Sequence, residues 1–88
     1  MSMTAALKAA RAVDLARTVI AMELLCAAQA IDLLAPLSTS APLTRVHESI
    51  RARVPALDAD RAPSYDITAI AAMIDTGDLD RACPLNVN

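Results

Sequence analysis

Aromatic side chains are almost absent from this 88-residue chain: Tyr65 is the only one, with no Trp and no Phe. Yet 56% of the residues are hydrophobic, so the apolar mass comes from Ala, Leu, Ile and Val. Alanine-rich helices bring backbones close together but each Ala buries little area, so such a core needs many neighbouring helices. Glycine is equally scarce, Gly77 standing alone, which excludes a glycine-rich phosphate loop. There is no basic excess either. The formal net charge is −2 and the arginines are dispersed rather than gathered into a stripe, which argues against a nucleic-acid partner. The two cysteines, Cys26 and Cys83, show no CxxC spacing and no nearby histidine cluster. They read as reduced thiols rather than a disulfide or a metal site, in keeping with a cytoplasmic protein.

The chain's strongest positive feature is one long apolar helix, residues 4–34. From Thr18 to Leu34 the strongly polar residues are Glu23, Gln29 and Asp32 alone. At about 100° per residue, Glu23 and Asp32 project to opposite sides, so no continuous face is left for water. A helix apolar on all sides belongs inside a larger bundle or a membrane. The bilayer fits poorly, because the stretch after Arg17 is barely long enough, is rich in weakly hydrophobic Ala and carries a carboxylate near its middle. A signal peptide is excluded by Lys8, Arg11, Asp14 and Arg17, which interrupt the first turns. An 88-residue chain buries only about 60 to 65% of its unfolded surface if it folds alone. The remaining residues cannot wrap this helix, and a larger assembly is expected.

No internal Gly or Pro stops the helix before Pro36, so it spans roughly 45 Å. Charges at steps of three in its first half allow Arg11–Asp14 and Asp14–Arg17 pairs and suit an end that emerges from a bundle. Residues 35–41 form a connection, in which Ser40 is placed to cap the next helix just ahead of Pro42. That helix, residues 42–54, carries Leu43, Val46, Ile50 and Val54, extended by Leu57, on one stripe. Arg45, Glu48, Arg51 and Arg53 fall mostly elsewhere. Residues 57–65 read as an ordered loop. Asp66 is placed to cap a third helix, residues 66–76, with Ile67, Ile70, Ala71 and Ile74 on one face, and Gly77 supplies the stop. The tail, residues 77–88, shows no clear pattern and reads as a surface strap or frayed end. The predicted fold is all-α, one long helix followed by two short amphipathic helices, forming a single segment of a larger bundle.

Catalysis needs converging groups, and few are offered. His47 is the only histidine, at the edge of the second helix's apolar stripe beside Glu48. With no Ser or Cys nucleophile near it, it reads as a packing or surface residue rather than a general base. Glu23 and Gln29 are expected to be buried and to bond to neighbouring helices rather than to form a polar site. Asp58, Asp60 and Arg61 suggest a carboxylate site for a divalent ion, but an ion pair that locks the loop is the simpler reading. No catalytic, cofactor-binding or metal-ligating residue is assigned.

Three ordered stretches carry a resemblance. Met1-Ser-Met-Thr-Ala-Ala, then Val19-Ile-Ala-Met-Glu-Leu-Leu-Cys-Ala-Ala-Gln-Ala-Ile-Asp-Leu33, then Asp60-Arg61 followed by Asp66-Ile67, with Gly77 as the stop, cover residues 2–79. Together they resemble the C-terminal end of the histidine and aromatic amino acid ammonia-lyases. Departures are Ala30 in place of Gly, Leu34 in place of Arg, which bears on one family ion pair or interface contact, and Ala62-Pro63-Ser64-Tyr65 in place of a leucine-alanine-proline pattern.

The resemblance implies a tetramer whose subunits pool long helices into one bundle, which accounts for a helix apolar all round. It also implies a methylidene-imidazolone prosthetic group formed from an Ala-Ser-Gly tripeptide, and no such tripeptide occurs in this chain. The family's catalytic tyrosine, its substrate-binding Asn and Arg residues and a glutamate before the Ser-Met segment are likewise outside it, with Ser2 and Met3 expected nearest the active site. The expected function is therefore that of a small subunit of a split ammonia-lyase-like or aminomutase-like enzyme, non-catalytic alone. A larger lyase-like chain would carry the prosthetic group, and Met1 falls where a protein would sensibly divide into two encoded pieces. The alternative is a non-catalytic scaffold or interaction subunit of a repurposed lyase-like complex.

Overall fold

The computed structural model describes residues 2–56 and 63–84. Four helices follow one another: α1 (Met3–Leu33), α2 (Ala41–Arg53), α3 (Pro63–Thr76) and α4 (Asp78–Ala82). Among the described residues there is no strand, and the fold is all-α.

The α1 helix starts where Ser2, in extended conformation, accepts a hydrogen bond from the Ala5 amide at 3.1 Å, which satisfies one of the otherwise orphaned N-terminal donors. Its 31 residues contain no Gly or Pro to interrupt the ladder. Leu34 closes it, and a connection through Pro36 leads to Ser40, whose hydroxyl accepts from the Leu43 amide at 3.4 Å. With Pro42 in the first turn, α2 begins as its sequence dictates.

The third helix begins earlier than the sequence indicates, at Pro63 rather than Asp66. Proline suits the first helical position because its missing N–H would have no partner there. Asp66 is thereby moved from the cap into the first turn, where it is buried. Residues 63–65 of the expected loop are therefore helical, and residues 57–62, with Leu57, Asp58, Asp60 and Arg61, lie outside the described residues.

The tail is also corrected. Gly77, at φ 78°, both ends α3 and starts the 5-residue α4. Only glycine adopts this left-handed conformation without strain. Asp78 and Asp80 in the first turn and Arg81 in the last complement the dipole of α4. Leu79 packs against the core.

The α1 helix packs mainly against α3, with α2 and α4 completing the layer. The core consists of Ala21 and Ala28 from α1, Ile50 and Val54 from α2 and its end, and Ile70 and Met73 from α3. Two alanines two turns apart let α3 approach the α1 backbone closely. Around them the molecule is only 17 Å thick, little more than one helix diameter of about 10 to 12 Å. Large parts of each helix consequently remain open. Residues 3–16 of α1 are all exposed, and Leu7, Leu15, Val19, Ile20, Met22 and Leu33 present apolar surface to solvent. No described helix is long and apolar enough to cross a membrane.

Candidate functional site

The most connected polar group in the described residues is built where α2 folds back over the end of α1. Asp32, in the last turn of α1, meets His47 and Arg51, which are four positions apart on α2 and so lie on one face. His47 Nε2 is 2.8 Å from Asp32 Oδ1, and Arg51 Nε donates to Asp32 Oδ2 at 2.9 Å. A second guanidinium nitrogen approaches Oδ2 at 2.6 Å, off the hydrogen-bonding axis, so that contact is ionic. Arg51 NH1 reaches the carbonyls of Val54 at 3.0 Å and Pro55 at 3.4 Å, closing the end of α2.

Partial burial by itself opposes ionisation of Asp32. The hydrogen bonds from His47 and Arg51, with their charges, outweigh it and hold the carboxyl below the usual carboxylate range. Facing an ionised carboxylate, Nε2 is the nitrogen of His47 that donates. A cleft of about 240 Å³ adjoins the pair and carries the hydroxyl-bearing Ser38, Thr39 and Thr44. An oriented imidazole is a competent proton carrier, but proton transfer needs a reacting group within hydrogen-bond reach. What the geometry displays is a tether between two helices.

Sequence reasoning placed His47 at the edge of the α2 stripe, and there it is, half-buried. It missed the pairing with Asp32 and Arg51. The available signal was the His47–Arg51 spacing together with a lone carboxylate near the end of an apolar helix. Glu23, expected to be buried, is exposed, because it lies on the side of α1 turned away from Ala21 and Ala28; Gln29 is half-buried. Ser2 is spent on capping, and Met3 is exposed. Cys26 and Cys83 are free thiols. No group of three or more potential metal-ligating side chains converges among the described residues.

Two further ion-pair groups fasten the helices. Arg17 lies 2.7 Å from both Asp14 and Asp75. Asp78 pairs with Arg53 at 2.9 Å and with Arg81. A side-chain hydrogen bond with Thr76, and then the two arginines, hold the Asp78 carboxyl below its ordinary range. Arg45 Nε adds a hydrogen bond to the Ala82 carbonyl at 3.1 Å, so α2 is fixed to α4 at two points.

The described residues thus form an all-α segment with a long helix left largely bare. In comparison with known proteins, residues 1–52 match the family model described as aromatic amino acid lyase. The chain belongs to that family. It is 49% identical over 80 residues to the histidine ammonia-lyase of Anaeromyxobacter sp. (strain K), a match covering 91% of this chain and 16% of that protein. The histidine ammonia-lyase of Koribacter versatilis (strain Ellin345) is 46% identical over 82 residues, covering 93% of this chain and 16% of the relative. That of Myxococcus xanthus (strain DK1622) is 42% identical over 79 residues, covering 90% and 16%. No solved structure matches the chain. The chain thus spans about 16% of the length of the curated relatives it matches.

The prosthetic group implied by the resemblance does not fit the residues present. Its tripeptide ends in glycine, and Gly77 follows Asp75-Thr76 at the left-handed joint between α3 and α4.

Proposed function

We propose that this chain is a bundle-completing segment of an ammonia-lyase-like enzyme, acting in the cytoplasm as the small partner of a larger chain that carries the prosthetic group and the catalytic residues. The observation that carries the reading is the bare apolar surface of α1, with Leu15 62% and Leu33 75% exposed, in a segment of a family whose members named above are about six times as long. Exposed apolar area of this extent marks a site of protein association. On this reading the segment contributes packing to the assembly, and elimination of ammonia from an amino acid takes place on residues of the larger chain.

Purification of the chain from its own cells, with identification of co-purifying protein by mass spectrometry and an assay for ammonia release from histidine and aromatic amino acids, tests the proposal. A larger lyase-like partner with activity supports it. A lyase-like partner lacking both the Ala-Ser-Gly tripeptide and activity replaces it with the scaffold reading, and a cooperatively folded monomer removes the need for any partner.

A further inference from the structure

We infer that the Asp32 carboxylate is an electrostatic latch that sets the position of α2 on the end of α1, over and above the apolar packing of Ile50 on Ala28. Three observations combine. Both carboxylate oxygens are engaged by α2, Oδ1 by His47 at 2.8 Å and Oδ2 by Arg51 at 2.9 Å. Arg51 also holds the Val54 and Pro55 carbonyls, so the carboxylate is linked through one guanidinium to the point where the chain leaves α2. Beside these contacts, the apolar seam between the two helices is packed at Ala28 and Ile50, each 2% exposed, and opens to solvent as a groove of about 150 Å³ that Leu24, Ile31, Leu43 and Val46 also line. Leu43 remains 51% exposed.

Where the seam opens into that groove, part of the dispersion and transfer energy that fixes one helix on another is forfeited. Charge-assisted hydrogen bonds, which are directional, then decide the register. His47 and Arg51 are the charged or titratable groups that act on Asp32. Two further charged side chains of α2, Arg53 on Asp78 and Arg45 on the Ala82 carbonyl, fasten it to α4 instead. The latch does not depend on the enzyme reading; it concerns the docking of two elements within this chain.

Amide hydrogen exchange of the full chain, in the assembly in which it is purified, tests the inference. Asp32→Asn is expected to raise exchange in α2 about tenfold, the equivalent of one charged hydrogen bond, while α3 keeps its protection. Leu43→Ala, which trims a half-exposed side chain at the edge of that groove, is expected to change exchange in α2 by less than about threefold. If Leu43→Ala loosens α2 as much as Asp32→Asn does, packing sets the position and the latch is wrong. Equal loosening of α1, α2 and α3 in Asp32→Asn overturns it as well. Because Asp32→Asn can lower expression, His47→Gln serves as the milder variant: its amide can still donate, so α2 protection between wild type and Asp32→Asn is expected, and a value at or beyond Asp32→Asn counts against the latch.

Discussion

Arg17 of α1 and Asp75 of α3 stand 2.7 Å apart, Nε to Oδ1, and the same guanidinium holds Asp14 of its own helix through NH1. Hydrogen bonding to Asp14, with Asp75 adding, holds the Arg17 guanidinium above its ordinary pKa. Arg17 is also the first residue along α1 that is not fully in solvent. This cation thus marks where α1 enters its own fold. Asp75 is more than half exposed, and pairs of this kind are weak and screened by salt. Asp75→Asn is therefore expected to lower the thermal midpoint only slightly, with the difference disappearing in about 1 M salt; a large, salt-resistant loss in a melting experiment would contradict this.

Beyond Arg17 the helix runs unaccompanied back to Met3. An isolated helix shorter than about 12 to 15 residues is marginal in water. Trypsin should therefore cut the free chain first after Lys8 and Arg11, and an assembled complex should protect both sites. Mass spectrometry of the first fragments reads this directly, and early cleavage after Arg51 instead would place the weak point in α2.

The core itself offers a sharper energetic test. Ile70 is 0% and Met73 1% exposed, packed on Ala21 and Ala28. Ile70→Ala is expected to destabilise the folded chain by about 2 to 4 kcal/mol, measured by denaturant unfolding. Tyr65, at 79% exposed, is expected to tolerate Ala within about 0.5 kcal/mol.

Gly77 ought to resist substitution for a backbone reason. A Cβ there would meet Arg81 NH1 at 3.4 Å, an ordinary van der Waals distance, so space is available. The φ of 78° is what an L-residue avoids, at about 1 to 2 kcal/mol. Gly77→Ala should cost about that much by thermal melting, and Gly77→Asn less, since Asn tolerates the left-handed region better.

The main architecture was legible in the sequence because it is local. Uninterrupted helix formers up to Pro36, Ser40 ahead of Pro42, and the Leu43, Val46, Ile50, Val54 stripe are all read within a turn or two of chain, and α1 and α2 lie within a residue of where they were expected. Pro63 was the signal for an earlier α3, but it was overlooked in favour of Asp66. The α4 helix is five residues long, too short for periodicity to register. The Asp32 cluster was hidden for a different reason: its partners are 15 and 19 positions away, and a contact at that separation follows from the direction in which the chain turns after Leu34. Glu23 is exposed because this chain alone covers one side of α1, whereas the sequence was read for a helix surrounded on every side.

Acid should act on two places at once. Asp32 and Asp78 both have carboxyls held below the ordinary value. A folded pKa below the unfolded one stabilises the fold fully above the unfolded value, about 3.9 for Asp, and that contribution is lost as pH falls through the folded values. Stability is therefore expected to be flat with respect to these two groups from neutral pH down to about 5 and to fall below about 4. The double substitution Asp32→Asn/Asp78→Asn should flatten that acid limb in a series of thermal melts, and an unchanged limb would assign acid sensitivity to other carboxylates.

The uncovered side of α1 carries the most consequential expectation. Leu15, Val19, Met22, Cys26 and Leu33 follow one another at steps of four, three, four and seven, so they form one stripe on the side away from Ala21 and Ala28. Leu15 is 62%, Val19 47%, Met22 42% and Leu33 75% exposed. In the free chain these side chains contribute little to folding, so Leu15→Gln/Met22→Gln, which keep a comparable helix propensity, should leave its helicity unchanged and improve its solubility. In the assembly proposed above, each becomes buried, and its loss costs about 1.5 to 3 kcal/mol. The pair of substitutions should then weaken association with the larger chain by at least about a hundredfold, as measured by analytical ultracentrifugation or pull-down. Unchanged association with lowered helicity would mean that this stripe serves the chain's own fold and that the partner binds elsewhere.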